Sequence, residues 1–387
     1  MTDASQATKG SGEFHISASN KKAPCNATKI DCPLLKSLDE PFHGTEAEVD
    51  AEVARRNQGD YPTVATLRSR DFRPLPWHKN MTQDEILEKI QNRGSEYLDL
   101  SGADLSNMNL TGVNLSHCNL SDANLYGTDL NYAILAGSNL TNADLSYATL
   151  IGANLSESNL TYANLTGSKL NGARIPRAVL VKTILSNASL QDADLSYSDL
   201  SSSNISDADL TWANMSHTNL FDVTAEMTTF HETDLTHVVA ARADFTGSRF
   251  SGSDINDANF SNSNLYATTF NSCNLSRTDL SHSNLTNASI SRSTLASANL
   301  TRAQMQYSTI DNVVLNDSNL SESNLSGAHL TNSDLNYARI NDAELVDSNL
   351  IGSSFYGADL SGSNLLYARI SEGSLTNATT IGTIINY

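Results

Sequence analysis

The stretch SGADLSNMNLTGVNLSHCNL, residues 101–120, ends each group of five residues on a leucine. The same spacing runs from Leu100 to Ile385 without a slip, and 55 of its 58 positions hold Leu, Ile, Phe or Met. The exceptions are Ala225, Ala240 and Thr380. Two residues before these positions, from Ala103 to Thr383, the side chain is small, with Met108 the one larger occupant. A period of five fits neither an α-helix nor a strand, so the sequence predicts a solenoid that turns a corner every five residues.

The units SGADL, TGVNL and SDANL resemble those of the pentapeptide-repeat family, in which a small residue, Asp or Asn, and Leu or Phe follow one another. The resemblance covers about three quarters of the chain, residues 95–387. It implies an all-β fold, a right-handed quadrilateral parallel β-helix of about 14 coils. Four large inward residues per coil leave room only for small neighbours in so narrow a core. Repeat solenoids are scaffolds, so the fold alone indicates no function.

Positions twenty residues apart are predicted to stack on one side of the coil. The ladder expected from this rule consists of Phe230, Phe250 and Phe270, with about 4.8 Å between successive rings. The two core alanines follow the same arithmetic. Ala225 would lie one coil below Phe245, and Ala240 one coil below Phe260, so that a bulky neighbour fills the space beside each undersized position.

The chain begins with a segment unlike the repeats. Residues 1–40 are predicted to be a disordered tail, because residues 1–33 contain no Leu and Ser and Thr are frequent. This composition resembles the uncleaved N-terminus of bacterial type III secreted effectors; a tail without any signal is the alternative. No apolar signal-peptide core and no run of about 20 apolar residues occurs, so we expect synthesis in a bacterial cytoplasm and no membrane span.

A capping helix is predicted between the tail and the repeats. Residues 41–94 have too few apolar side chains for a core of their own, but they end in a helical pattern over about 82–93. Thr82 and Glu85 form a capping box, and Gly94 lies where a helix would end. Because an open solenoid end exposes strand edges, we expect this helix to lie across the first coil.

The sequence carries no pattern of catalytic or metal-binding residues. Its nine histidines are scattered, and neither a Gly-rich phosphate loop nor a G-x-S-x-G elbow is present. Cys118 and Cys273 fall in small inward positions and are predicted to be buried thiols, while Cys25 and Cys32 lack partners at metal-ligand spacing. Asp residues such as Asp104 are predicted to bond turns and neighbouring coils. We therefore expect no enzyme, no cofactor and no metal.

Acidic residues are in excess, and the excess belongs to the repeats. The net charge is −19, and residues 95–387 hold 29 Asp or Glu against 11 Lys or Arg. Between Lys182 and Arg242 no basic residue occurs. The acidic belt of this stretch comprises Asp192, Asp194, Asp199, Asp207, Asp209, Asp222, Glu226, Glu232 and Asp234. Over about three coils its charge density approaches that of a DNA duplex; a belt that only keeps the rod soluble is the alternative.

The repeats in and beside the acidic belt are the least regular, and they are the predicted partner site. Apolar side chains there occupy outward slots that are polar elsewhere, and basic residues border them. The candidates are Lys169, Arg174, Arg177, Val179, Val181, Lys182, Ile184, Phe221, Met227 and His237. We predict that they bind a protein, whose identity the sequence does not give.

Three functions are compatible with this pattern. The first is a non-enzymatic binding protein, secreted as a bacterial effector and acting through the surface of its rod. The second resembles family members that protect DNA gyrase as mimics of DNA, although the mean charge density is low and no loop interrupts the coils. The third is a structural spacer. None of the three involves direct binding to nucleic acid.

The last repeats expose apolar residues. Ile381, Ile384 and Tyr387 surround the final coil, where the repeat elsewhere has polar residues. An uncovered solenoid end exposes apolar side chains and strand edges, and the resemblance to family members that pair through C-terminal coils suggests a two-fold dimer. The alternative is a local plug in which Ile381 and Ile384 fold back over the core.

Overall fold

A computed structural model describes residues 13–16, 22–24, 43–45, 82–92 and 97–385 of the chain. The chain divides into two compact units, Met1–Arg73 and Pro74–Tyr387. The second unit contains the five-residue repeats and the helix that precedes them.

The first unit contains three short antiparallel strands. They are β1 (Glu13–Ile16), β2 (Lys22–Pro24) and β3 (His43–Thr45), and they lie in the order β2-β1-β3. Two of these strands fall within the predicted tail, where the sequence analysis expects none. Strands of three or four residues are too short to show a period of two. The rest of residues 1–40, with Cys25 and Cys32, lies outside the described residues.

Helix α1 (Gln83–Asn92) covers the start of the solenoid. The Thr82 amide donates to Glu85 Oε2 at 2.7 Å, and the Glu85 amide donates to Thr82 Oγ1 at 3.3 Å, which confirms the capping box. The backbone hydrogen bond from Thr82 keeps the pKa of Glu85 below its ordinary value. Ile86 and Ile90 are buried in the solenoid core, so the helix caps it as predicted. Gly94 lies outside the described residues.

The solenoid coil contains twenty residues and has four sides. The residue before each core position pairs in parallel with the residue twenty positions later. The first such pairs define side A (Asp99 with Asn119), side B (Asp104 with Asn124), side C (Asn109 with Asp129) and side D (Asn114 with Ile134). The register continues to Asp359 and Thr379. This confirms the predicted quadrilateral parallel β-helix, of about 14 coils at this period.

From Leu100 to Ala368 each corner is a tight turn whose third residue has a positive φ. In the first coil the Ala103 amide donates to the Leu100 carbonyl at 3.0 Å, and Gly102 has φ 66°. Larger residues adopt the same conformation, as at Tyr132 with φ 59°. This conformation costs a non-glycine residue roughly 1–2 kcal/mol. The corner amide offsets part of that cost by donating to the next coil, as Tyr132 does to Ile151 at 2.9 Å.

Regular strands of two or three residues form in the later coils, from Thr269 onward. They are β4 (Thr269–Asn271), β5 (Ser289–Ser291), β6 (Thr309–Asp311), β7 (His329–Thr331), β8 (Asn349–Leu350), β9 (Asn364–Leu365), β10 (Arg369–Ile370) and β11 (Ile384–Ile385). Six of them form one parallel sheet in the order β10-β8-β7-β6-β5-β4, and β11 pairs with β9. Elsewhere the coils are joined by single bridges, because each side is only a few residues long.

Short polar side chains satisfy the backbone at the corners and beside the core. Asp104 Oδ1 accepts from the Ser106 amide at 3.1 Å and from Asn124 Nδ2, one coil later, at 3.0 Å. The buried hydroxyl of Ser138 donates to the Leu135 carbonyl at 2.6 Å. The predicted structural role of such Asp residues is confirmed: they bond the turn and the neighbouring coil.

The core contains the predicted phenylalanine ladder. The ring of Phe250 stacks on Phe230 with 4.6 Å between centroids and on Phe270 with 4.8 Å. The backbone register places Ala225 one coil below Phe245, because Thr224 pairs with Asp244. In the same way Val239 pairs with Asn259, which places Ala240 below Phe260. Both alanines are fully buried, so the predicted stacking of undersized and bulky positions is confirmed.

Candidate partner-binding site

The predicted partner-site residues are close in sequence but do not share one face. Side A carries Val179, Val181, Lys182 and Phe221; side B carries Ile184 and Met227; side C carries Lys169; side D carries Arg174, Arg177 and His237. The four sides have different outward directions. The four residues on side A are therefore the largest group of candidates on one side of the coil.

Side A carries an apolar surface on its middle coils. The side-A surface consists of Tyr162, Val179, Val181, Lys182, Phe221, Val239 and Arg242. Val179 is 39% exposed, Phe221 38% and Val239 44%. The register runs from Val179 through Asp199 and Asn219 to Val239, so the two valines lie three coils apart. The whole surface extends from Tyr162 to Arg242, four coils apart, so at a strand spacing of about 4.8 Å it is on the order of 19 Å long.

Cations hold the two aromatic rings of the side-A surface in place. Lys182 Nζ lies 5.2 Å from the centroid of the Tyr162 ring and 3.1 Å from its hydroxyl oxygen. Arg242 Cζ lies 5.2 Å from the centroid of Phe221, and its Nη2 lies 3.3 Å from Asp222 Oδ1. Rings fixed in this way lose little conformational freedom when a partner covers them. Sequence reasoning missed Tyr162, Val239 and Arg242, although reading every twentieth residue would have aligned them with the predicted ones.

Side C carries a cluster around the one described tryptophan. Trp212 lies at a corner, is 54% exposed, and donates from Nε1 to Glu232 Oε2 at 2.9 Å. Glu232 Oε1 also lies 3.5 Å from His231 Nε2, while His231 Nδ1 lies 2.9 Å from the Ser251 carbonyl. Both oxygens of Glu232 are therefore occupied, and the indole ring is fixed along the column of corner residues.

Asp209 supports the same side of the coil. Its Oδ1 accepts from the amide and hydroxyl of Thr211 at 3.0 and 2.6 Å, and its Oδ2 accepts from Gln191 Nε2 at 2.6 Å. Burial raises the pKa of Asp209, but the hydrogen bonds from Thr211 and Gln191 outweigh it and leave the pKa below its ordinary value of 3.8. The carboxylate is therefore ionised at neutral pH.

Side D carries a continuous column of stacked side chains. Arg177 Cζ lies 5.9 Å from the Tyr197 centroid, and Tyr197 stacks on His217 at 4.7 Å with 8° between the ring planes. His217 and His237 follow at 4.7 Å. The column places the predicted candidates Arg177 and His237 on one side, three coils apart, with two aromatic residues between them that the sequence analysis did not select.

The acidic belt is divided among all four sides. Side A holds Asp199 and Asp222, side B Asp207 and Glu226, side C Asp192, Asp209 and Glu232, and side D Asp194 and Asp234. Several of these carboxylates bond turns; Asp194 accepts from the Ser196 amide at 3.1 Å, for example. No side holds more than three of the nine, so the belt lacks a long row of charges on one face.

Exposed tyrosines lie over glycines of the following coil, a feature that sequence reasoning missed. A Cβ added at Gly167 would lie 2.8 Å from Tyr147 Cε1, and one added at Gly327 would lie 2.7 Å from Tyr307 Cδ1. The glycine thus leaves the space into which the ring of the preceding coil leans. The five-residue period does not indicate this contact between tyrosine and glycine, because the two residues lie in one column only through the twenty-residue coil.

The described residues offer no arrangement typical of an active site. They contain no group of three or more His, Cys, Asp or Glu side chains that could hold a metal ion. Cys118 and Cys273 are buried as predicted, and burial raises the pKa of Cys273 to about 11. Among the same residues no helix has both the length and the apolar character to span a bilayer.

The described C-terminal coil exposes two of the three predicted dimer residues. Ile381 is 77% exposed and Ile384 is 55% exposed. Ile385, which belongs to β11 with Ile384, packs against the core instead. Tyr387 lies outside the described residues. Because Ile381 and Ile384 are exposed, the structure does not contain the alternative local plug in which they fold back over the core.

These features define a β-solenoid repeat protein. Pentapeptide repeats match eight segments: residues 99–137, 138–175, 183–220, 228–266, 273–306, 298–336, 314–350 and 343–379. The segments span most of the solenoid. The chain belongs to the pentapeptide-repeat family.

Several solved structures are similar to the chain. Rfr23, a pentapeptide repeat protein from the cyanobacterium Cyanothece 51142, is 28% identical over 30% of this chain and 94% of its own, with a TM-score of 0.29. HetL from the cyanobacterium Nostoc sp. strain PCC 7120, involved in heterocyst differentiation regulation, is 26% identical over 79% of this chain and 100% of its own, with a TM-score of 0.24. QnrB1, a plasmid-mediated fluoroquinolone resistance protein, is 16% identical over 56% of this chain and 91% of its own, with a TM-score of 0.28. No curated protein matches the chain.

Proposed function

We propose that this protein is a non-enzymatic binding rod that holds a protein partner on the side-A surface. The observation that carries the proposal is the grouping of Val179, Phe221 and Val239, all exposed in outward slots, on one side of the coil within three coils. An apolar side chain in such a slot does nothing for the core. Interfaces of proteins are centred on exposed aromatic and apolar residues of this kind, with charged residues at the rim.

The surroundings of these residues favour a specific interface. Lys182 and Arg242 lie at the corners of side A, where they can reach carboxylates of a partner while they fix the rings of Tyr162 and Phe221. The backbone beneath is a hydrogen-bonded solenoid, so little of it has to be ordered on binding. A rigid surface with fixed aromatic groups supports a binding role and offers no machinery for a reaction.

A pair of matched triple variants tests the proposal. The side-A variant restores polar residues by Val179→Asn, Phe221→Ser and Val239→Asn. The control variant removes three exposed apolar residues elsewhere by Ile134→Asn, Val314→Asn and Ile351→Ser. In quantitative affinity capture from the native cells, we expect the side-A variant to lose a partner that the wild type and the control retain. Equal capture by both variants would refute the side-A surface, and no enriched protein at all would favour a structural spacer.

Export from a bacterial cell is part of the proposal. The Ser-rich, Leu-poor composition of residues 1–40 supports it, as a resemblance to the tails of type III secreted effectors. Residues 1–40 fused to a reporter should be exported by a type III apparatus without cleavage. A reporter that stays in the bacterial cytoplasm would refute export and leave the binding role untouched.

The distribution of the acidic belt argues against the DNA-mimic alternative. A mimic needs charges in rows along one face, as phosphates are arranged on a duplex. Here no side holds more than three of the nine belt residues. We expect gyrase supercoiling to be unchanged by micromolar protein, and inhibition or protection from a quinolone would revive the alternative.

A second copy of the chain is the proposed occupant of the C-terminal end. Its support is the exposure of Ile381 and Ile384 beside the outer edge of the terminal strand β11. A two-fold contact would cover the same patch on both copies. Light scattering at tens of micromolar should give twice the monomer mass for the wild type and the monomer mass for Ile384→Asp. A monomeric wild type would rule the dimer out.

A further inference from the structure

Three exposed aromatic rings of this protein are covered by cations of the protein itself. Lys182 lies over Tyr162 at 5.2 Å and Arg242 over Phe221 at 5.2 Å, in each case from the following coil. Arg177 lies over Tyr197 at 5.9 Å, from the preceding coil. The corner columns thus pair a ring with a cation one coil away, an arrangement stabilised by the attraction of the positive charge to the ring face.

Trp212 has the same corner position but the opposite neighbours. The corner residue one coil before it is Asp192 and the one after it is Glu232, so that the ring lies between two acidic residues. Tryptophan is the ring that attracts cations most strongly. Neither described corner residue one coil from Trp212 is a lysine or arginine, unlike the neighbours of the three rings above, and the Trp212 ring remains 54% exposed.

The carboxylates around Trp212 differ in how far hydrogen bonds from the protein already occupy them. Glu232 is occupied by the indole N–H and faces His231, and Asp209 is occupied by Thr211 and Gln191. The structure shows no hydrogen bond or ion pair to the Asp192 carboxylate from the residues that it describes. Asp192 is exposed, and it is thus the carboxylate ready to accept from an incoming donor.

Charge on side C favours the same kind of ligand. Three members of the acidic belt lie there, and the nearest cations of the column beside them, Lys169 and Arg249, are each two coils from Asp209. A guanidinium lying on the Trp212 ring could therefore donate to Asp192 without competing with Lys169 or Arg249 for that carboxylate. A flat cation with several N–H donors suits a ring beside a carboxylate better than a compact ammonium does.

We propose that the side-C cluster of Asp192, Asp209, Trp212, His231 and Glu232 binds an arginine-containing basic segment of a protein partner, with a guanidinium on the Trp212 ring and its N–H groups on Asp192. The inference rests on the proposed function, since it assumes a rod that binds protein, but it concerns a different side from the side-A surface. It gives the class of partner segment that this face recognises.

A fluorescence titration tests the site on the full chain. The chain has two tryptophans, so a Trp77→Phe parent leaves Trp212 as the reporter. The probe is a synthetic peptide, GRGRGRG, with GQGQGQG as the neutral comparison. We expect the arginine peptide to change Trp212 emission in a saturable manner, with an affinity at least about tenfold above that of the neutral peptide.

Matched variants separate a site from general attraction to an acidic rod. Asp192→Asn should weaken arginine-peptide binding about fivefold or more, whereas Asp347→Asn should leave it unchanged. Asp347 is likewise an exposed corner residue with positive φ, on side B, and its loss changes the net charge equally. Equal weakening of peptide binding by the two variants would overturn the proposed site. Binding of spermine as tight as that of the arginine peptide would also overturn it, because the site would then recognise small cations in general.

The outcome is distinguishable from failure of the proposed function. Calorimetry of Trp212→Leu with the arginine peptide should show about a tenfold loss of affinity, while circular dichroism confirms an intact solenoid. If the arginine peptide does not bind although capture through the side-A surface succeeds, the inference alone is wrong. If neither surface binds anything, the binding rod itself is wrong.

Discussion

Replacing Ala225 by leucine should expose how the core shares space between neighbouring coils. Leucine is the regular occupant of core positions, so a rule that considered each position alone would predict a stabilised protein. The structure predicts the reverse. Ala225 is fully buried one coil below Phe245, whose ring lies 5.9 Å from Phe230 and 5.5 Å from Phe250. Added carbons would have to displace rings, at about 1–3 kcal/mol.

The reciprocal change restores the regular repeat. Phe245→Leu alone leaves a cavity and should lower the free energy of unfolding by about 1–2 kcal/mol. A Phe→Ala change, which removes more of the side chain, typically costs about 3–5 kcal/mol. In the double variant the added leucine fills the space that the phenylalanine leaves. We expect the double variant to be more stable than the sum of the single changes by about 1–3 kcal/mol, the coupling typical of residues in contact.

Urea unfolding of these variants in the Trp77→Phe parent, followed by circular dichroism and Trp212 emission, measures these values. Trp212 lies in the coil of Ala225 and therefore reports on the coils concerned. Phe355 provides the control, as a second buried core phenylalanine more than five coils away. Ala225→Leu with Phe355→Leu should be additive within about 0.5 kcal/mol. If the free-energy changes of Ala225→Leu and Phe245→Leu were additive as well, the two side chains would not share space in the core. The small core alanines would then have no explanation.

Two further predictions concern the corners. Gly167→Ala should be more destabilising than Gly172→Ala in urea, since both have positive φ but only the first Cβ meets a ring, that of Tyr147 at 2.8 Å; equal midpoints would show that the ring moves at no cost. Asp209→Asn should lower the urea midpoint at pH 7, because hydrogen bonds that outweigh burial depress the pKa of Asp209 in the folded state. The ionised carboxylate of Asp209 stabilises the folded state fully at pH values above its ordinary pKa of 3.8. This stabilisation is lost as the pH falls through the lower pKa of the folded state. The difference between wild type and variant should therefore shrink as the pH falls below 3.8, and a constant difference would contradict the argument.

The fold could be predicted from the sequence because one rule repeats about 58 times. Large side chains every five residues, with small ones two positions earlier, admit no other packing in a core of four sides. The capping box at Thr82 and Glu85 is a local pattern, and it identified α1 for the same reason. The strands β1 and β2 escaped prediction because they are short and their pairing with each other and with β3 depends on contacts that no local period records.

The candidate site was predicted only in part, because a partner contacts residues that stack at intervals of twenty and not residues that are adjacent in sequence. The predicted candidates are close along the chain, and the coil distributes them over four sides. Val179 and Phe221 remained together since they differ by about two coils and fall on side A. Val239 and Trp212 were missed because an apolar residue at an outward slot has meaning only beside its neighbours twenty residues away.

Site-specific photo-crosslinking tests the central claim most directly. A benzophenone amino acid replaces Phe221 in one protein and Ser321 in another; both positions lie on side A in the same column, five coils apart. After irradiation in the native cells, the account predicts that position 221 yields a discrete crosslinked protein and that position 321 does not. Crosslinks of the same proteins from both positions, or from neither, would contradict a partner bound at the side-A surface.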